Sequence, residues 1–146
     1  MKFTKSIPAF IAAVVVAYLL LSVMGTQFVL ADVKSYGLTV SLADRLAATL
    51  HDIYGLVPAM LILVSVTLFI AFVIASICNQ IIGGHRRYWF RVAGFTSLPI
   101  TMMLVKFTMG VTPFALAGTG FGLLLIALSG LAGAWVYVRL TQVQEN

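Results

Sequence analysis

Four long apolar runs fill most of this 146-residue sequence, and they constrain its fold more than any other feature. Each run is about twenty residues or longer, which is the length of helix needed to cross the hydrocarbon core of a bilayer. Charged residues are 9% of the total and lie almost entirely between the runs. A transmembrane barrel would require strands of alternating polarity, and the sequence has no such alternation. The sequence therefore predicts an all-α membrane protein, a bundle of four transmembrane helices.

The predicted spans cover residues 7–31, 56–78, 92–112 and 114–138 of a single integral membrane domain, 1–146. The first span could be read as a signal peptide, because its last residues resemble a cleavage site. Its apolar run is longer than the roughly 7 to 15 residues of a signal sequence, so we expect a retained helix. A loop at 79–91 joins the second and third spans, and a polar tail covers 139–146.

Residues 41–54 predict a short amphipathic helix between the first two spans. Ser41 followed by Asp44 resembles a capping box, a pattern typical of helix starts. The apolar face predicted by helical spacing holds Leu42, Leu46, Thr49, Leu50 and Ile53. The opposite face holds Asp44, Arg45, Ala48, His51 and Asp52. Such a helix is expected to lie on the membrane surface or to cover the end of the bundle.

Basic residues flank the spans unevenly, which predicts the orientation of the chain. Six lie on the side of the termini and two on the other side; the six are Lys2, Lys5, Arg86, Arg87, Arg91 and Arg139, and the two are Lys34 and Arg45. Lysine and arginine are enriched on the cytoplasmic side of membrane proteins. We therefore expect both termini in the cytoplasm and the short helix in the periplasm of a bacterial inner membrane, although an organelle membrane would fit the pattern too.

Lys106 is the one charged residue inside a predicted span. A lysine costs about 2.5–3.5 kcal/mol near the centre of a bilayer, so it requires a partner or a route to the interface. Two interpretations stay open. Lys106 belongs to an ion, proton or substrate pathway, or else its side chain reaches the interface or pairs with Asp32, Asp44 or Asp52 as a structural contact.

Two further groups of residues predict contacts rather than chemistry. Small residues of the fourth span share one helix face, which favours close packing on another helix; these are Gly118, Gly122, Ser129 and Gly133. Arginines and aromatic residues near the span ends predict anchors at the membrane interface; these are Arg86, Arg87, Trp89, Arg91, Trp135, Tyr137 and Arg139. The three arginines of the loop are fewer than the four to eight basic residues of a dedicated lipid site.

Catalytic and metal-binding motifs are absent from the sequence, which has no GxSxG elbow, P-loop, GxGxxG turn or HExxH helix. Cys78 is the single cysteine, and His51 and His85 fall on opposite sides of the predicted membrane, so no shared metal site is expected. The basic residues form no dense patch for nucleic acid. We expect no enzyme activity, cofactor or metal.

Three functions stay open from the sequence. The favoured one is a small non-catalytic accessory or interaction subunit that docks onto another membrane protein or onto copies of itself. The alternative is an oligomeric small transporter or channel that uses Lys106. The third is a lipid-binding or lipid-modifying protein. The expected partners are therefore the lipid bilayer and either a membrane-protein partner or further copies of the chain.

Overall fold

Helices make up nearly all of the chain, and none of the described residues forms a strand. The computed structural model describes residues 3–37, 39, 41–55, 57–110 and 115–143. Its elements in chain order are α1 (Phe3–Ser35), α2 (Leu42–Gly55), a π-helical turn (Val57–Leu61) that continues into α3 (Ile62–Ile82), α4 (Arg86–Met109), a 3-10 turn (Ala115–Gly118) and α5 (Gly120–Val143). Helices α1, α3, α4 and α5 are long and apolar enough to cross a membrane. The prediction of an all-helical chain with four membrane-length helices is confirmed.

Helices α3 and α4 extend beyond the predicted spans at the ends that face each other, whereas α4 ends at Met109 and α5 begins at Gly120, inside the predicted 92–112 and 114–138. The polar residues Asn79 and Gln80 lie inside α3, and α4 begins at Arg86, so the segment between these helices is only Gly83–His85. Asparagine, glutamine and arginine continue a helix at small cost, whereas hydropathy marks only the apolar part of it. Gly83 ends α3 because its φ of 75° is one that other residues rarely adopt.

The long helices pack in the order α1, α5, α4, α3, and α1 also touches α3. Glycine permits close approach on both sides of α5. A Cβ atom added at Gly94 of α4 would lie 2.6 Å from the carbonyl oxygen of Gly130 and would also meet Ala134. A Cβ atom added at Gly133 would lie 2.8 Å from the carbonyl oxygen of Ala13 in α1. Helix α5 is therefore held between two neighbours at short distance, as small residues allow in membrane helices.

One aromatic ring from each of the four long helices joins a cluster at one end of the structure. The ring centroids of Phe72 and Tyr137 are 4.5 Å apart, and those of Phe90 and Tyr137 are 5.3 Å apart, both stacked. Phe10 meets Phe72 edge-on at 6.1 Å. Such pairs stabilise packing by about 0.5–1.5 kcal/mol beyond burial alone. Since α1 begins and α5 ends near this aromatic cluster, we call this end of the helices the terminal side.

Candidate functional site

The buried polar residues of α1 turn toward α2, away from the terminal side. Tyr18 Oη donates a hydrogen bond to the carbonyl oxygen of Ile53 at 2.6 Å. Thr26 Oγ1 lies 2.7 Å from Asp52 Oδ2 and 2.9 Å from the carbonyl oxygen of Ser22. A hydroxyl carries one hydrogen, which Thr26 shares between the Asp52 carboxylate of α2 and the carbonyl group of its own helix. The contact with Asp52 joins α1 to α2.

Further polar contacts fix the position of α2. Asp44 N–H donates to Ser41 Oγ at 3.1 Å, and Ser41 N–H donates to Asp44 Oδ2 at 3.0 Å, which completes the predicted capping box. The side-chain hydrogen bond from Ser41, followed by the backbone one, lowers the pKa of the Asp44 carboxyl. Arg45 Nη1 donates to Gln27 Oε1 at 2.8 Å, and Gln27 Nε2 donates to Thr49 Oγ1 at 3.3 Å. Arg45 and Thr49 of α2 thus face α1, together with Asp52.

The leucines of α2 face away from α1. Four large residues at four-residue spacing are exposed, and they form the α2 stripe: Leu42, Leu46, Leu50 and Tyr54. No residue of α2 is fully buried. The sequence predicts an apolar and a polar face, but the side of α2 that meets α1 mixes the two. Asp52 of the predicted polar face and Thr49 of the predicted apolar face both bond to α1, whereas His51 of the polar face is exposed. The reason is local chemistry, because Thr26 and Gln27 of α1 offer hydrogen-bond partners where an apolar surface would offer none.

Lys106 lies on the outside of α4, where its side chain is exposed. Met103, three residues earlier, and Phe107, the next residue, are exposed as well, and Phe107 is 89% exposed. Within the part of the chain that the structure describes, no hydrogen bond or ion pair joins the Lys106 side chain to a carboxylate, and Asp32, Asp44 and Asp52 all belong to that part. We name the surface formed by Met103, Lys106 and Phe107 the outer α4 face.

The aromatic cluster gives the depth of Lys106. Phe10 lies about 6 Å along α1 from Ser6, where the first membrane-length segment begins, and Lys106 lies about 24 Å along α4 beyond Phe90. Because Phe10 and Phe90 both join the cluster, Lys106 lies about 30 Å along the helices from the level of Ser6, a distance equal to the thickness of a hydrocarbon core. The span predicted from the sequence, 92–112, places Lys106 about 10 Å from its outer end. In the structure α4 ends at Met109, three residues after Lys106, so Lys106 lies nearer the end of its helix.

The predicted small-residue positions occupy different surroundings. Gly118 is exposed in the 3-10 turn before α5, and Gly122 lies against the carbonyl group of Leu116 in the same turn. Ser129 is buried, and its hydroxyl donates to the carbonyl oxygen of Ile126 at 2.7 Å. Gly133 faces α1. The close contact between Gly94 and Gly130 was not singled out from the sequence, since nothing local identifies which glycines of two helices meet.

The predicted interface anchors gather on the terminal side. The Arg86 guanidinium lies 5.4 Å from the centre of the Phe90 ring, and that of Arg139 lies 4.6 Å from the centre of a Trp135 ring. Trp89 Nε1 donates to the carbonyl oxygen of Gly83 at 3.0 Å. Arg87 and Arg91 are exposed, whereas Tyr137 is buried in the aromatic cluster. Arginine and tryptophan side chains at this level are typical of a membrane interface.

Tyr18, Ser22 and Thr26 were missed by sequence reasoning, although they carry a readable pattern. They recur every fourth residue in an apolar run, so they share one helix face. The partners of Tyr18 and Thr26 lie on α2, and no local rule connects that helix to them. Ser22 Oγ is buried and has no hydrogen-bond partner in the described structure.

The described residues contain no group of three or more His, Cys, Asp or Glu side chains that could hold a metal ion. No protein-family model, no curated protein and no solved structure matches the chain. Contacts and charges on the helices therefore carry the argument about function.

Proposed function

We propose that this protein is a small non-catalytic accessory subunit that docks onto another membrane protein through the outer α4 face. The observation that supports the proposal is the position of Lys106, a charge on an exposed apolar surface with no carboxylate partner in the described chain. A lysine near a membrane boundary can reach the headgroups with its long side chain, and a carboxylate at that level stabilises it further. The proposed partner is a membrane helix that brings a carboxylate to the level of Lys106.

The transporter hypothesis receives less support from the same position. A polar path through one chain would require Lys106 to face the interior, but the interior side of α4 holds the buried side chains of Leu98 and Met102. Lys106 could line a path only between copies of the chain. A lipid-modifying activity would require free polar groups on α2, yet Asp44 is already engaged by Ser41. Docking requires Lys106 to be exposed on the outer α4 face, as it is.

The same proposal includes a four-helix bundle in which α2 lies at the membrane surface. Helix α2 contacts α1 from Gln27, about 32 Å along the axis from Ser6, to Tyr18, about 18 Å from Ser6. It therefore begins near the far boundary of a hydrocarbon core about 30 Å thick and inclines into it toward its end. Its exposed α2 stripe would enter the lipid, as in interfacial helices. The six-to-two excess of basic residues supports cytoplasmic termini in a bacterial inner membrane.

Cysteine labelling of intact cells tests this orientation. The variants are made in a Cys78→Ala background. A membrane-impermeant maleimide should label Lys34→Cys, which is exposed at the end of α1 on the same side as α2. It should not label His85→Cys, which is exposed on the terminal side. Lysis should make both labels equal. Labelling of His85→Cys but not Lys34→Cys in intact cells would reverse the proposed orientation.

Site-specific photocrosslinking tests the docking surface. A photoreactive amino acid at Phe107, on the outer α4 face, should yield one protein adduct of defined mass in native membranes. The matched control is Ile62, an exposed apolar residue of α3, where no such adduct is expected. Lys106→Met should abolish the Phe107 adduct, because it keeps the length of the side chain and removes the charge.

A second lysine separates this specific contact from general charge. Lys34→Met removes one positive charge from an exposed position on the same side of the structure as Lys106, away from the terminal side. It should leave the Phe107 adduct intact. Absence of an adduct at Phe107, or identical adducts at Phe107 and Ile62, would refute docking through the outer α4 face.

A further inference from the structure

A groove of about 400 Å³ opens between α4 and α5 on the terminal side. Its walls are apolar except at one point, and the lining residues are Arg91, Leu128, Leu131, Ala132 and Trp135. Helices α4 and α5 touch at Gly94 and Gly130, where the backbones leave no room for a Cβ atom. Neither glycine lines the groove, which lies beside this contact, between Arg91 of α4 and the side chains of α5.

The groove has a charged end and an apolar end, as a phospholipid molecule does. Arg91 and Trp135 lie near the level of the aromatic cluster. Arg91 follows Phe90 directly, and Trp135 is two residues before Tyr137, and both Phe90 and Tyr137 belong to the cluster. Leu128 lies seven residues before Trp135, which is about 10 Å farther toward the membrane centre. The charged end thus lies near the interface and the apolar end extends into the hydrocarbon region.

The charge around the groove is positive and is not neutralised by carboxylates of the described chain. Arg87 lies about 40° from Arg91 around α4, so both arginines point to the same side. Neither has a hydrogen bond or ion pair with another described residue. Arg139, over the ring of Trp135, adds a third guanidinium. The carboxylates that the structure describes, Asp32, Asp44 and Asp52, belong to the opposite side of the chain.

We infer that this groove binds one anionic phospholipid, with its phosphate at Arg91 and one acyl chain along Leu131 and Leu128. A guanidinium binds a phosphate through paired hydrogen bonds, which gives it more selectivity than a diffuse positive surface. The Cα–Cβ bond of Arg91 tilts toward the start of α4, so its side chain extends to the interface, where headgroups lie. The site is separate from the outer α4 face and does not depend on the proposed docking function.

Quenching of Trp135 fluorescence measures the occupancy of this groove. Trp89→Phe removes the other tryptophan, and all proteins are compared in that background. The protein is placed in phosphatidylcholine vesicles that contain either brominated phosphatidylglycerol or the same mole fraction of brominated phosphatidylcholine. Brominated phosphatidylglycerol should quench Trp135 at lower mole fraction, with a binding preference of about fivefold, as one arginine near a membrane surface provides.

Two variants and one control distinguish a site from general attraction of anionic lipid. Arg91→Gln should reduce the preference to about one. Ala132→Phe should do the same with every charge retained, because its ring would fill the groove. Arg86→Gln removes the same charge from the same end of α4, but about 140° around the helix from Arg91, and should keep the preference.

Three outcomes would overturn the inference. Equal quenching by the two brominated lipids in the parent protein would show that the groove does not select anionic lipid. An equal loss of preference in Arg86→Gln and Arg91→Gln would show that the lipid preference depends on the net charge of the protein and not on the groove. Quenching of Trp135 by neither lipid would show that protein, not lipid, covers the groove.

Discussion

Alanine at Gly94 would test the packing of α4 on α5, which positions both the groove and the outer α4 face. The new Cβ atom would lie 2.6 Å from the carbonyl oxygen of Gly130 and would also meet the Cβ atom of Ala134. Neither atom can move by a change of rotamer, so the helices must separate. Overpacking costs about 1–3 kcal/mol, and a clash with backbone belongs at the upper end. Alanine recovers about 1 kcal/mol in helix propensity, which leaves a net loss of about 2 kcal/mol.

Unfolding in mixed micelles with increasing dodecyl sulfate, followed by circular dichroism, measures this loss as a change in the free energy of unfolding. Gly118→Ala is the matched control, because a Cβ atom there meets nothing within 4 Å. It should change stability by less than about 0.5 kcal/mol. If Gly94→Ala and Gly118→Ala were equally stable, the close approach of α4 and α5 would be refuted.

Two further substitutions test how α2 is held, and hydrogen exchange of the α2 amides is the measurement for both. Ser41→Ala removes the capping hydroxyl, so the first-turn amides should exchange several-fold faster than in the parent. The folded pKa of Asp44 is lowered, so this stabilisation is present above its ordinary value of 3.8 and is lost as the pH falls through the folded value. The difference between the two proteins should therefore narrow in acid without vanishing, because Ser41 Oγ accepts the Asp44 N–H at any pH. A difference of the same size at both pH values would contradict the role of the carboxylate. Thr26→Val keeps the shape of the side chain and removes its hydrogen bond with Asp52, at a cost of about 1 kcal/mol. Exchange should accelerate across α2 and not in α5, and unchanged exchange in α2 would show that this bond does not hold the helix.

Local patterns in the sequence were sufficient for the main elements. Apolar runs of membrane length predict the four long helices, because burial in lipid requires about twenty such residues whatever they contact. The capping box of α2 was predictable for the same kind of reason, since Ser41 and Asp44 are three residues apart and bond to each other. Both inferences use only residues that are neighbours in the chain.

Contacts between distant residues could not be predicted in this way. Gly94 and Gly130 are 36 positions apart, and many other glycine pairs would have satisfied the same small-residue pattern. The orientation of α2 depends on hydrogen bonds to Thr26 and Gln27, and these bonds leave the leucines of α2 facing outward. Lys106 illustrates the same limit, because the sequence gives its approximate depth but not the side of α4 on which it lies.

Native mass spectrometry of the protein, extracted from its own membrane into nanodiscs, tests the proposed docking function most directly. The account predicts a stoichiometric foreign subunit in the intact particle, present with Lys34→Met and absent with Lys106→Met. A particle that contains this chain alone would contradict the account. If that particle were an oligomer of the chain, Lys106 between its copies would favour the transporter hypothesis instead.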